Sequence, residues 1–183
     1  KKIMEPPITG DMIDAQSMVF LTAGFETTAN TLTSMMLYFA MYPDLQDKTY
    51  EEVMACLGDD DKITHEHIKD MDYLEAFTKE TLRIKPPIAE HDRICMKDTV
   101  VCGIPVKKGT AIQLPIPASH YDEEFFPEPY AFKPDRFLKE NEDKIVPYTW
   151  RPFGAGNRVC IGQRFAMMEM KILVAKLLQK FQI

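Results

Sequence analysis

The sequence predicts a mainly α fold with a small β portion (α+β), on three observations. Apolar or helix-periodic stretches occupy both ends of the chain, at residues 15–43 and 166–181. Ten of the thirteen prolines fall between Pro86 and Pro152, so the middle is punctuated and largely irregular. Inside that middle, residues 99–106 and 110–114 are short strand-like runs on either side of Lys107-Lys108-Gly109, which reads as a Gly turn joining a β-pair.

With 183 residues, 45% of them hydrophobic and 27% charged, the chain can bury a real core, and no repeat or composition break divides it. It reads as a single partial domain over residues 1–183, because it opens on Lys1-Lys2 and stops at Gln182-Ile183 inside a helical pattern. A segment ahead of it is where a membrane anchor is expected. A net charge of -6 without a Lys/Arg block gives no electrostatic footprint for nucleic acid. Cys56, Cys95, Cys102 and Cys160 form no C-x-x-C pair, which points to reduced thiols rather than a disulfide framework or zinc ribbon.

The elements follow in order. Residues 15–43 carry one charge, Glu26, and are long enough to span a bilayer. Against a span stand ten polar side chains between Gln16 and Ser34, most of them around Gly24, and an acid at mid-length. A long helix through a protein interior, with polar groups beside a cavity, accommodates both. A second helix is expected after Asp44, then an acidic turn at residues 58–62. A third helix runs from about Asp72 to Ile84, stopped by Lys85-Pro86-Pro87 because a residue before proline is pushed out of the α region. It carries Glu80 and Arg83 at i, i+3. In the last helix Ala166, Met170, Leu173, Val174, Leu177, Leu178 and Phe181 form an apolar stripe.

Just ahead of that helix stands Phe153-Gly154-Ala155-Gly156-Asn157-Arg158-Val159-Cys160-Ile161-Gly162. Glycines let backbone crowd a flat ligand, and a cysteine at a helix start beside Arg158 sits where an anionic sulfur is stabilised. Arg158 also offers a guanidinium to a carboxylate. The five fixed positions of F-x-x-G-x-R-x-C-x-G arise by chance on the order of a few times in ten million starts at roughly 5% usage each.

This loop resembles the haem-binding signature of the cytochrome P450 family, and the resemblance covers essentially the whole chain. Ala23-Gly24-Phe25-Glu26-Thr27-Thr28 is similar to the family's oxygen-activating segment, Glu80-Thr81-Leu82-Arg83 to its E-x-x-R pair, and Pro134-Asp135-Arg136-Phe137 to its P-E-R-F box, in family order. Asp135 stands where Glu is commoner and Phe126 where many relatives carry Trp. The look is nearest to animal microsomal drug- and steroid-oxidising members, which implies the C-terminal part of the P450 fold.

What the resemblance implies is specific. Cys160 would be the axial thiolate of haem b, with Arg158, Arg93, Phe153, Gly154, Gly162 and Ala23 around the cofactor. Gly24 would let the central helix open, and Thr27 and Glu26 would handle protons at bound dioxygen. Glu80, Arg83 and Arg136 would form a buried lock behind the haem loop. Phe20, Ala23, Thr27, Ile88, Ala89 and Glu90 would meet a lipophilic substrate. Electrons would come from NADPH through a flavoprotein reductase, or a cytochrome b5-type donor, docking on a basic face of Arg151, Arg158, Arg164 and Lys171, at the cytosolic side of the endoplasmic reticulum membrane. Three other readings stay open: a haem-thiolate isomerase or dehydratase of fatty-acid peroxides, a non-catalytic haem-binding protein, and a membrane helix with a small tail. Trp150 reads as a packing aromatic as readily as an electron-transfer residue, and His65, His67, His91 and His120 as surface or packing residues, since no H-x-x-x-H pair occurs.

Overall fold

The computed structural model describes residues 8–58, 60 and 62–183, so Lys1, Lys2 and, in the expected acidic turn, Asp59 and Asp61 lie outside the described residues. Helix α1 spans Gly10–Met41 and is capped by Thr9, whose hydroxyl accepts from the Met12 amide at 3.3 Å. Helix α2 spans Pro43–Leu57 with proline at its first position, where the missing N–H is no loss. The short α3, His65–Lys69, has a reciprocal cap between Thr64 and His67.

Helix α4 spans Asp72–Ile84, the bounds that its proline stop predicts. It lies at the centre, against α1, α2 and the final helix α6, Gln163–Leu178. Its own N-cap, Met71, makes no side-chain bond. Glu52 of α2 supplies one instead, accepting from the Tyr73 and Leu74 amides at 2.6 and 2.9 Å. The core is built around this contact: Phe39 stacks on Phe77 with centroids 4.0 Å apart, and Tyr38 on Phe132 at 4.2 Å. From α6 come Met170, Val174, Ala175 and Leu178. Leu173 remains exposed and Phe181 lies beyond the helix, so the apolar stripe is shorter than expected.

The β portion corrects the expected pairing. Strand β2, Thr99–Val101, pairs with β3, Ile104–Val106, through the two-residue turn Cys102-Gly103. Both turn residues have positive φ, 48° and 80°, the geometry that matches strand twist in a tight hairpin. Strand β4, Ala111–Pro115, pairs instead with β1, Glu90–Ile94, in antiparallel register from Glu90↔Pro115 to Ile94↔Ala111. The turn at Lys107-Lys108-Gly109 exists, held by Asp98 bonds to the Lys108 amide and Lys107 ammonium. It joins two separate two-stranded sheets rather than one pair. After β4 come α5, Ile116–His120, and three 3-10 turns, Pro134–Phe137, Lys139–Lys144 and Gly156–Arg158.

Among the described residues no helix is long and apolar enough to cross a membrane. The two halves of α1 differ. Thr28, Thr31, Met35, Tyr38 and Phe39 are buried, whereas Met18, Val19, Phe20, Leu21 and Phe25 are exposed.

Candidate functional site

Cys160 lies three residues ahead of the first residue of α6, in a loop that folds back on itself: its amide donates to the Phe153 carbonyl at 2.8 Å. The Gly154 amide donates to the Arg151 carbonyl at 3.0 Å. Gly154 and Gly156 have φ of +79° and +71°, which side-chain-bearing residues rarely adopt. Cys160 is exposed, and a Cβ on Gly162 would come within 3.8 Å of its sulfur.

One strand faces this loop. A Cβ built on Gly154 would stand 3.4 Å from Nε2 of His91 on β1. That Nε2 is buried and has no hydrogen-bond partner. Arg93, two residues on and therefore on the same face of β1, is half-buried and donates to the Asp92 carbonyl at 2.8 Å. Arg158 is exposed.

Behind the loop, Glu80 and Arg83 are 0% exposed and pair through two bonds, Nε to Oε2 at 2.7 Å and Nη2 to Oε1 at 2.8 Å. Arg83 also donates to the carbonyls of His120, Pro129 and Ala131. The Lys133 amide donates to Glu80 at 2.8 Å. Arg136 Nε comes within 3.5 Å of Glu80 Oε1 without hydrogen-bonding geometry, while its Nη2 donates to the Glu128 carbonyl at 2.8 Å. The arginine is thus an outer charge beside the pair rather than a third hydrogen-bonded member. Phe126 is buried with its ring 5.3 Å from the Arg83 guanidinium, a cation–π lid that the sequence marked only as a departure from Trp.

The sequence model of the cytochrome P450 family matches residues 3–183. The chain belongs to the cytochrome P450 family. It is 41% identical to Cytochrome P450 3A31 of Mesocricetus auratus over 93% of this chain and 34% of that protein. It is 40% identical to Cytochrome P450 3A29 of Sus scrofa over 98% of this chain and 36% of that protein. Likeness to Cytochrome P450 3A41 of Mus musculus is 42% over 92% of this chain and 34% of that protein. The chain therefore spans about a third of the length of the curated relatives it matches.

A P450 haem needs a reachable sulfur, room for the macrocycle and donors for its carboxylates. The residues present fit that group: an exposed Cys160, glycine-turned backbone at Gly154, and an unpartnered His91 nitrogen at the same place. His91, expected as a surface or packing residue, is half-buried with its Nε2 against Gly154 of the loop.

Other expected site residues are arranged differently. Helix α1 is unbroken through Gly24, so the opening expected there is absent. The Thr27 hydroxyl donates to the Ala23 carbonyl at 2.6 Å, the same backbone bond that Thr22, Thr31 and Thr33 make in α1. Glu26 is exposed. No hydrogen bond or ion pair among the described residues links Glu26 or Thr27 to the cysteine loop. Phe20, Ala23, Ile88, Ala89 and Glu90 are all exposed. A cavity of about 350 Å³ lies between Glu75, Phe137, Val146, Trp150 and Met167, and none of those five expected substrate residues lines it.

Lys171 must be removed from the expected basic face. It is buried and bonded to Glu75 at 3.2 Å. Trp150 packs between Phe137 and Phe153 and donates to the Lys79 carbonyl at 3.1 Å, a structural placement.

Proposed function

We propose that the protein carrying this chain is a haem-thiolate monooxygenase, inserting one atom of dioxygen into a lipophilic small molecule. The supporting observation is the Cys160 loop: an exposed cysteine on a backbone closed by the Cys160–Phe153 bond, with the unpartnered His91 nitrogen against the loop's Gly154. Haem bound there by a cysteine thiolate supplies electron density from sulfur that favours cleavage of the O–O bond.

The chain's own residues divide the remaining work. Cys160 is the metal ligand, and Arg158 and Arg93 neutralise the haem carboxylates. Phe153, Gly154 and Gly162 let backbone approach the macrocycle, with Ala23 across from them. Thr27 holds a water or oxygen with the lone pairs that its bond to Ala23 leaves open, and Glu26 passes protons from solvent. Glu80 and Arg83, with Arg136 beside them, retain the loop. Phe20, Ala23 and Thr27 on α1, and Ile88, Ala89 and Glu90 before β1, form an apolar substrate wall with one acid. NADPH serves as electron source through a flavoprotein reductase, or a cytochrome b5-type donor, at the endoplasmic reticulum membrane. Likeness to animal members of the family supports that location.

The test is reductase-dependent dioxygen consumption by the haem-loaded protein with lipophilic substrates. Consumption of NADPH and dioxygen in step with oxygenated product is expected, and Thr27→Ala should divert electrons to peroxide. Turnover of fatty-acid peroxides with no dioxygen uptake would replace this reading with the isomerase.

A further inference from the structure

The reaction as proposed leaves one fully buried titratable side chain without a task. His120, the last residue of α5, is 0% exposed, and both its ring nitrogens are engaged. Nδ1 lies 2.9 Å from the Arg83 carbonyl, and Nε2 lies 3.0 Å from the Arg151 amide nitrogen. A carbonyl only accepts and an amide only donates, so the two contacts dictate the tautomer: Nδ1 carries the proton and Nε2 is the acceptor. The ring is neutral in this arrangement. Burial between Arg83 and Arg151 favours the same state, lowering its pKa from the ordinary 6.5 to about 4.

The connection continues on both sides. The His120 carbonyl accepts from Arg83 Nη1 at 2.8 Å, so Arg83 is held by the histidine's ring and backbone together. Beyond Arg151, that residue's carbonyl accepts the Gly154 amide and the Phe153 carbonyl accepts the Cys160 amide. A run of hydrogen bonds and short backbone thus joins the buried Glu80–Arg83 pair to the cysteine loop, with His120 the one side chain bonding both ends. Two neighbouring ties, Ser119 to the Thr149 carbonyl at 2.9 Å and Trp150 to the Lys79 carbonyl, hold the adjoining backbone in place.

We infer that His120 is a positioning residue for the cysteine ligand: its neutral imidazole fixes the Arg151–Gly154 backbone relative to α4 and thereby sets where the Cys160 sulfur stands. The role rests on the haem-thiolate reading proposed above. Removing the acceptor at Nε2 leaves the part-buried Arg151 amide unpaired, which relaxes the loop and favours the protonated, weakly bound sulfur. The ties at Ser119 and Trp150 keep the fold standing meanwhile.

The experiment compares wild-type, His120→Asn, His120→Gln and His120→Phe forms of the complete haem-loaded protein. Each is reduced under carbon monoxide at neutral pH, and the ratio of thiol-type to thiolate-type Soret bands is read together with the thermal midpoint. Asparagine reaches only the Nδ1 position and glutamine reaches the Nε2 position. His120→Asn should raise the ratio on the order of tenfold, the factor expected for one unpaired, part-buried amide, and His120→Gln should restore most of the thiolate band. Equal ratios in wild type, His120→Asn and His120→Gln, with only the thermal midpoint lowered, would reduce His120 to a packing residue. Should His120→Phe not fold, the Asn–Gln contrast still decides. A wild-type protein with no thiolate-type band would instead overturn the functional reading itself.

Discussion

At the scale of single residues, Arg83 directs five N–H groups to five acceptors: both Glu80 oxygens and the carbonyls of residues 120, 129 and 131. Lysine has three donors and no planar fork, so Arg83→Lys should leave at least two of the five acceptors unpaired in the core. The expected loss is about 3–5 kcal/mol in denaturant unfolding, and a loss under about 1 kcal/mol would contradict the pairing. The i, i+3 spacing made the pair legible and the family resemblance implied its burial; the spacing alone could not, because the pair's other partners are backbone carbonyls some 40 residues away. His120 carries a second prediction. Its folded pKa is depressed from 6.5 to about 4, so the unfolded chain binds the extra proton between those values. Stability from this group is therefore full above pH 6.5 and falls as pH drops toward 4, by roughly 3 kcal/mol in all. Unfolding measured across that window should show a positive slope with pH that flattens in His120→Gln. An unchanged slope in that variant would mean another group titrates.

Among the elements, α4 was the most legible and is the best anchored. Prolines after Lys85 dictate its end, but its start depends on Glu52 of another helix, which no local capping pattern announces. Glu52→Ala should cost about 1 kcal/mol, as lost caps do, with the deficit seen as faster hydrogen exchange in the first turn of α4. Unaltered protection there would exclude the cap. The strands show the opposite case. Gly109 looked like the hairpin turn, but Cys102-Gly103 supplies the two consecutive positive-φ residues a tight hairpin needs, which leaves β4 free to pair with the distant β1. That long-range pairing places His91 against Gly154 of the cysteine loop, and periodicity along the sequence carries no trace of it. Helix α1 was legible in extent, while its opening at Gly24 was not realised, since its hydroxyls bond their own backbone.

Across the whole molecule, the described residues are organised around α4 and the cysteine loop. The buried pair, the cysteine loop and strand β1 are assembled. The first half of α1 and the expected substrate residues face solvent, in a chain that matches about a third of its relatives' length. Signature motifs were readable because each fixes chemistry within ten residues. The placement of the expected substrate residues depends on long-range packing, which no motif within ten residues encodes. The central claim remains the identity of the iron ligand, and the reduced carbon monoxide spectrum of the haem-loaded protein tests it most directly. A thiolate-type Soret band in the wild type, absent in Cys160→Ser and unchanged in Cys102→Ser, is the predicted result. The same band persisting in Cys160→Ser would contradict it.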